Sequence, residues 1–246
     1  MQLLDLTLDS PAANLALDEA LLDEAEAAPA PLETLRFWQP TSPMVVVGRG
    51  SNALAEVRLS CCGQRQIPVL RRSSGGAAIV TGPGCLMYAV ILSLRQRPNL
   101  RSLDSAHQFV LDTLGRAIST LGPTVRRYGT SDLAFTANGS TDPPRKCSGN
   151  SVRIKKNTLL YHGTLLHDFS LELISTCLAT APRQPEYRAG RDHDQFVANL
   201  PTTAAALQQA ITTAWHATTP RTHWPESRVQ KLLTEKYQTH EWSIQV

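Results

Sequence analysis

The chain has 246 residues, 42% hydrophobic and 18% charged, with a formal net charge of +3, the balance of a folded domain with a sizeable core and not of a disordered chain. So small a charge, with aromatics at 6%, excludes the usual nucleic-acid binder; no apolar run approaches the ~20 residues that span a bilayer, and the acidic start MQLLDLTLDS is no secretory leader. Five cysteines without a C-x-x-C pair exclude a disulfide framework and a zinc site, which places the protein in the reduced cytoplasm.

In chain order, SPAANLALDEALLDEAEAA reads as a first helix, capped by Ser10 and opened by Pro11. LETLRFW and MVVVG follow as short strands, then a short helix after Asn52 and a strand running into Arg71-Arg72. LMYAVIL is a buried strand. DSAHQFVLDTLGRAISTLG is a second helix, opened by Asp104 or Ser105 and closed by Gly122 before Pro123. From Thr124 to Leu166 the pattern is strands separated by turns at Gly129, Asn138-Gly139 and Lys156-Asn157. FSLELISTCLA is a short helix, Pro182 to Arg191 an irregular loop, and two further helices fall around 204–216 and 226–237. Strands and helices mix without strict alternation, which predicts an α+β or mixed α/β fold in one domain spanning 1–246.

Charge is unevenly placed. The first 35 residues hold eight acids and no Lys or Arg, whereas Arg126 to Lys156 holds seven basic residues against Asp132 and Asp142. Such an excess suits a phosphate-bearing small molecule or an acidic protein partner.

Three segments concentrate residues that a plain scaffold does not need. In RRSSGGAAIVTGPG the glycines allow close backbone approach and free N–H groups, and an arginine adds a planar fork for phosphate. A tight hairpin between solvated arginines would leave the same trace. In RKCSGNS a lysine is set among Ser, Gly and Asn, where a surface lysine needs no such company. In LLYHGTLL an apolar strand is interrupted by His162-Gly163-Thr164; a glycine within a strand marks close backbone approach, and a histidine there can equally be a satisfied core residue. His162 and His167 lie five apart without a third ligand, so no metal site is read from them.

Together these segments resemble the lipoate–protein ligase A family. RRSSGGAAIVTGPGCLMYAV is similar to its Arg-Ser-Gly motif, and DLAF with RKCSGNSVRIKKNTLLYHGTLL to its lysine and His-Gly-Thr motif. RFWQPTSPMVVVGRGSN and LLTEKYQTHEW are similar to its early Trp segment and to the close of its catalytic domain. The resemblance implies a biotin/lipoate ligase-like fold, a mixed, mostly antiparallel sheet flanked by helices; the C-terminal accessory domain into which many members continue is expected to be absent here. It implies activation of lipoate or octanoate by ATP with Mg²⁺, and transfer of the acyl group to a lysine of a lipoyl carrier such as an E2 subunit or glycine-cleavage H protein. The enzyme is expected to be a monomer.

Carried over by position, Lys146 is the catalytic residue, bridging acyl carbonyl and α-phosphate. Arg72, Ser74, Gly75, Gly76, Ala77 and Ala78 would hold the acyl-adenylate, with Ser148, Gly149, Asn150, His162, Gly163 and Thr164 lining its pocket. Asp132 would stand near Mg²⁺ and the phosphates; Leu17, Trp38 and Gly48 would meet the lipoyl tail. Two departures stand out: Ala77 replaces a third glycine, and Gly82-Pro83 replaces a His-Asp pair, in the manner of the related octanoyltransferases. The alternative is therefore an ATP-independent transferase using a thioester on Cys147 or Cys85. A non-catalytic binding module is disfavoured by the joint presence of Arg72, Asp132 and Lys146.

Overall fold

The structure is a computed structural model, in which residues 1–136, 139–179 and 184–244 are described. Strand β1 (Gln2–Asp5) leads into helix α1 (Pro11–Ala27), then β2 (Thr34–Trp38), β3 (Met44–Val47), the short helices α2 (Ala53–Glu56) and α3 (Leu59–Gln64), and β4 (Val69–Arg71). Next come β5 (Ile79–Thr81), β6 (Cys85–Ser93), α4 (Leu103–Ser119), β7 (Thr124–Tyr128), β8 (Asp132–Thr136), β9 (Arg145–Ile154) and β10 (Thr158–Leu166). The remainder holds α5 (Glu172–Cys177), α6 (His193–Phe196), α7 (Ala204–Ala214), β11 (Thr219–Pro220), α8 (Glu226–Leu232), a π-helical turn (Leu233–Tyr237) and α9 (His240–Ile244).

The main sheet runs β11-β1-β2-β6-β10-β9-β8-β7, antiparallel from β2 onward, and a smaller sheet runs β4-β3-β5. The mixed, mostly antiparallel sheet flanked by helices is the expected architecture. Its central strands are covered on both faces, which is why β6 reads as an unbroken apolar run. Met87, Ala89 and Ile91 pack toward α1, while Leu86, Tyr88, Val90 and Leu92 pack toward α4 and α7. The same alternation puts Arg36 and His162 on the α1 side, beside the site.

Helix α1 begins where the sequence indicates: the Ser10 hydroxyl accepts the Ala13 N–H at 3.2 Å, with Pro11 first inside. Helix α4 starts at Leu103, one residue before the expected caps, because Ser102 already supplies the carbonyl bonded by Ala106 N–H. The expected 226–237 helix loosens into a π-helical turn after Leu232, and α6 and α9 have no counterpart in the sequence reading. Asn138 of one expected turn, and Pro182 and Arg183 of the expected loop, lie outside the described residues. The rest of that loop carries a 3₁₀ turn at Glu186–Arg188.

The acids of α1 meet the distant basic residues inside the molecule. Glu19 binds Arg153 and Lys236, each at 2.7 Å, and Asp23 binds Lys155 and Arg228, each at 2.5 Å. Arg127 pairs with Asp104 at 2.6 Å, and Arg145 donates to the carbonyls of Asp194 and Val197. Much of the basic excess between Arg126 and Lys156 is thus matched within the chain, which weakens its reading as a docking surface.

Among the described residues no helix is long and apolar enough to cross a membrane.

Candidate active site

Lys146 stands where two adjoining cavities meet. The larger, about 430 Å³, is walled by Leu15, Trp38, Val46, Ile79 and Met87 and by Arg72, Gly76, Asp132, Asn150 and His162. The smaller, about 160 Å³, is walled by Val80, Leu166, Ile174, Leu178 and Phe196, with Glu56, Ser148, Thr164, Arg188 and His193. Ala77, Ala78, Ile79, Lys146, Gly149 and Pro185 border both.

A β-bulge aims the lysine. Along β8 and β9 the pairs are Asp132–Gly149 and Leu133–Ser148, but the next is Ala134–Lys146. The skipped residue, Cys147, shifts the alternation by one, so Lys146 shares a face with Asp132 instead of pointing away. Its Nζ reaches Asp132 Oδ1 at 2.7 Å, and the chain lies across Gly149, where an added Cβ would come 3.3 Å from Lys146 Cε and Nζ. Tyr187 O–H donates to the other oxygen, Asp132 Oδ2, at 2.9 Å.

Opposite lies the 72–78 loop. Arg72 is buried, and its guanidinium donates to the carbonyls of Val46 (3.1 Å), Gly75 (2.5 Å) and Ala77 (3.0 Å). Burial pulls its pKa down to about 10. Arg72 thus borders the cavity and also moulds the loop. Gly76 takes a φ of +88°, open to glycine at little cost. Glu56 Oε2 accepts the Ala78 N–H at 2.6 Å, and Ser151 O–H donates to the Gly75 carbonyl at 2.8 Å.

Behind the larger cavity runs a buried polar row. His162 Nε2 meets Ser74 Oγ at 2.6 Å and Nδ1 meets Asp18 Oδ2 at 2.9 Å, while Arg36 Nη1 donates to Asp18 Oδ1 at 2.5 Å. The row has the connectivity of a hydrolytic triad, but Ser74 is 1% exposed and borders neither cavity, so its hydroxyl is structural in this state. Asn150 is held similarly: its Oδ1 accepts from Tyr88 (2.5 Å) and Ser148 (3.1 Å). Gly163 leaves no room for a Cβ, which would stand 2.7 Å from the Gly149 carbonyl oxygen as well as 2.0 Å from Asn150 Oδ1.

The structure corrects two expected tail contacts. Leu17 is in the core and borders neither cavity, because Leu15 and Asp18, three apart on α1, take the facing side. Gly48 lies behind the loop, against Gly76, not on the cavity. Trp38 lines the larger cavity. Gly75 and Ser74 support the cavity from behind, and Ser148 and Thr164 belong to the smaller cavity. Asp18, Arg36, Glu56, Tyr88 and Tyr187 were not singled out in the sequence. Only Arg36, a charge inside the apolar run LRFW, offered a signal.

No cysteine borders either cavity. Cys147 is fully buried, donates to the Leu133 carbonyl at 3.4 Å, and has its thiol pKa driven far up by burial. Burial likewise pushes Cys85 up to about 11. Neither fits a thiolate nucleophile.

The acids bordering the cavities do not fit a protein-held Mg²⁺. Both oxygens of Asp132 and of Asp18 already accept bonds from this chain, Glu56 holds the Ala78 N–H, and no cluster of three metal-ligating side chains occurs among the described residues.

The family model for the lipoyl protein ligase A/B catalytic domain matches residues 10–215. A probable lipoate-protein ligase A of Mycoplasma pneumoniae is 26% identical over 243 residues, an alignment covering 94% of this chain and 67% of that protein. The fold is similar to that of a bi-partite lipoate protein ligase of Thermoplasma acidophilum, from work on that ligase and its E2 lipoyl domain, with a TM-score of 0.80, 22% identity and coverage of 99% and 96% of the two chains. It is also similar to a lipoate-protein ligase A bound with ATP, at TM-score 0.75, 23% identity and coverage of 99% and 98%.

Proposed function

The chain belongs to the lipoyl protein ligase A/B catalytic-domain family, and from that premise we propose that it is an ATP-dependent lipoate–protein ligase. The carrying observation is the position of Lys146, an ammonium at the border of an apolar cavity and a second, smaller one, facing the glycine loop. The acyl chain would lie among Leu15, Trp38, Val46 and Met87, and the adenine in the smaller cavity. The acyl carboxylate and the α-phosphate would then meet beside Lys146.

Two anions must approach each other in that step, so fixed positive charge and N–H donors in a water-poor site lower the barrier. A carboxylate oxygen attacks the α-phosphorus, the bond to the β-phosphate breaks, and pyrophosphate leaves. In the second step the neutral amine of an acceptor lysine attacks the acyl carbonyl; the acyl–phosphate bond breaks, AMP leaves, and the amine proton is lost. Asp132, steadied by Tyr187, holds Lys146 at the junction in both steps. Mg²⁺ would come with the nucleotide. The buried cysteines disfavour the thioester route. A lipoyl domain of an E2 subunit or a glycine-cleavage H protein is the proposed acceptor; the named E2 lipoyl domain of the Thermoplasma ligase supports that class.

The test mixes the protein with an apo lipoyl domain and either ATP plus lipoate or an octanoyl-carrier protein alone. Mass spectrometry should find acylated acceptor only in the first mixture. Acylation in the second without ATP would assign the transferase instead.

A further inference from the structure

We infer that the C-terminal segment, through Trp242 and Arg71, positions the 72–78 loop, and that both residues act on adenylate formation without touching the cavities. The inference rests on the ATP-dependent reading for its kinetic half only.

Residues 216–244 lie beyond the part matched by the family model. Yet α9 reaches back to the end of β4 and bonds it twice. Trp242 Nε1–H donates to the Arg71 carbonyl at 2.9 Å, and Arg71 Nε donates to the Trp242 carbonyl at 2.8 Å. The indole is itself fixed: Lys236 Nζ lies 4.0 Å from its ring centroid, and that ammonium is held by Glu19 of α1 at 2.7 Å.

Arg71 is buried and borders neither cavity. Its Nη1 donates to the carbonyls of Gly48 (2.6 Å) and Ser51 (2.8 Å), gathering the 48–51 turn around one guanidinium. That turn is the back wall of the 72–78 loop. Arg49 N–H donates to the Ser74 carbonyl at 2.8 Å, Ser51 O–H donates to the Gly76 carbonyl at 2.9 Å, and Gly48 packs against Gly76. The line from α9 to the loop is therefore Trp242, Arg71, the 48–51 turn, Gly76. A planar guanidinium can make these several directed bonds at once, and an ammonium cannot.

Removing the indole N–H or the guanidinium should loosen the 72–78 loop, whose Arg72 and Gly76 border the larger cavity and whose Ala77 and Ala78 border both. The variants are Trp242→Phe, Trp242→Ala and Arg71→Lys, read by hydrogen exchange of residues 72–78 and by separate KM values for ATP and lipoate. We expect exchange of the Arg72 and Ala78 amides, bonded to the Val47 carbonyl and to Glu56, to rise about tenfold, equivalent to about 1.4 kcal/mol of lost protection, in Trp242→Ala and Arg71→Lys. Trp242→Phe, which keeps a ring over Lys236, should move the same way by less. The KM values for ATP and for lipoate should both rise, because the loop walls both cavities. Exchange in 72–78 at the wild-type level in all three, even with a lowered melting temperature, would overturn the inference. So would KM values for both substrates at the wild-type level. If wild-type protein uses no ATP, the functional reading fails while the exchange measurement still decides this one.

Discussion

Gly48 and Gly76 meet backbone to backbone: a Cβ on Gly48 would stand 1.7 Å from the Gly76 carbonyl oxygen. No rotamer change relieves a clash with a carbonyl, so Gly48→Ala must push the 72–78 loop toward the cavity. The expected cost is about 1–3 kcal/mol of stability, seen as a lower urea midpoint, with a larger fractional loss of adenylate formation. A variant with wild-type turnover would show the loop free to move without consequence.

Lys146→Ala should reduce adenylate formation by a factor on the order of 10²–10³, the usual loss for one donor aimed at developing charge. Its pair with Asp132 is partly open to solvent, so stability should change by no more than about 1 kcal/mol. Asp132→Asn keeps an acceptor for Tyr187 and frees the lysine; it should be slower than wild type and faster than Lys146→Ala. Pyrophosphate release measures both.

The cysteines offer a separate check. Cys61 alone of the five is not buried. A thiol reagent applied to the native protein should label Cys61 first and reach Cys147 and Cys85 only on unfolding. Cys147→Ser and Cys85→Ser should stay active, and a hydroxylamine-sensitive acyl adduct should be absent. An adduct on either buried cysteine would restore the thioester route.

Acid should release the C-terminal segment. Burial alone would raise the Glu19 carboxyl, but hydrogen bonds from Lys236 and Tyr237, with the Arg153 charge, hold it below its ordinary value. Burial is likewise outweighed at Asp23 by Lys155 and Arg228. With folded values below unfolded ones, this stabilisation is complete above the unfolded carboxylate range near pH 4 and drains away as pH falls through the lowered values. Thermal melts should therefore decline steeply below about pH 4, and Glu19→Gln should flatten that decline. An equal slope in the variant would assign it to other carboxylates.

The sheet and the motif residues were legible because their causes are local. A strand covered on both faces must be apolar throughout, as β6 is, and a loop with φ above zero needs its glycine, as at Gly76. The acids of α1 were legible as charges but not as partners, since Arg153, Lys155, Arg228 and Lys236 reach them from far along the chain. Leu17 and Gly48 were placed by neighbourhood in sequence, whereas helical phase turned one into the core and close packing set the other behind the loop. Asp18 was one of eight acids in the first 35 residues, with nothing to set it apart. Its burial became intelligible only with Arg36 and His162 beside it.

The single skipped residue in β9 leaves the strand a choice between two ladders. In the bulged one Lys146 pairs with Ala134 and shares a face with Asp132; in a regular one Cys147 would take that place, and Lys146 would stand opposite Phe135 on the reverse face of the sheet. The strand could pair equally well in the second frame, but its ammonium would point away from both cavities. Deleting Cys147 removes that second frame and keeps the lysine on the cavity side, so the direction of this one side chain is a property of the ladder's register.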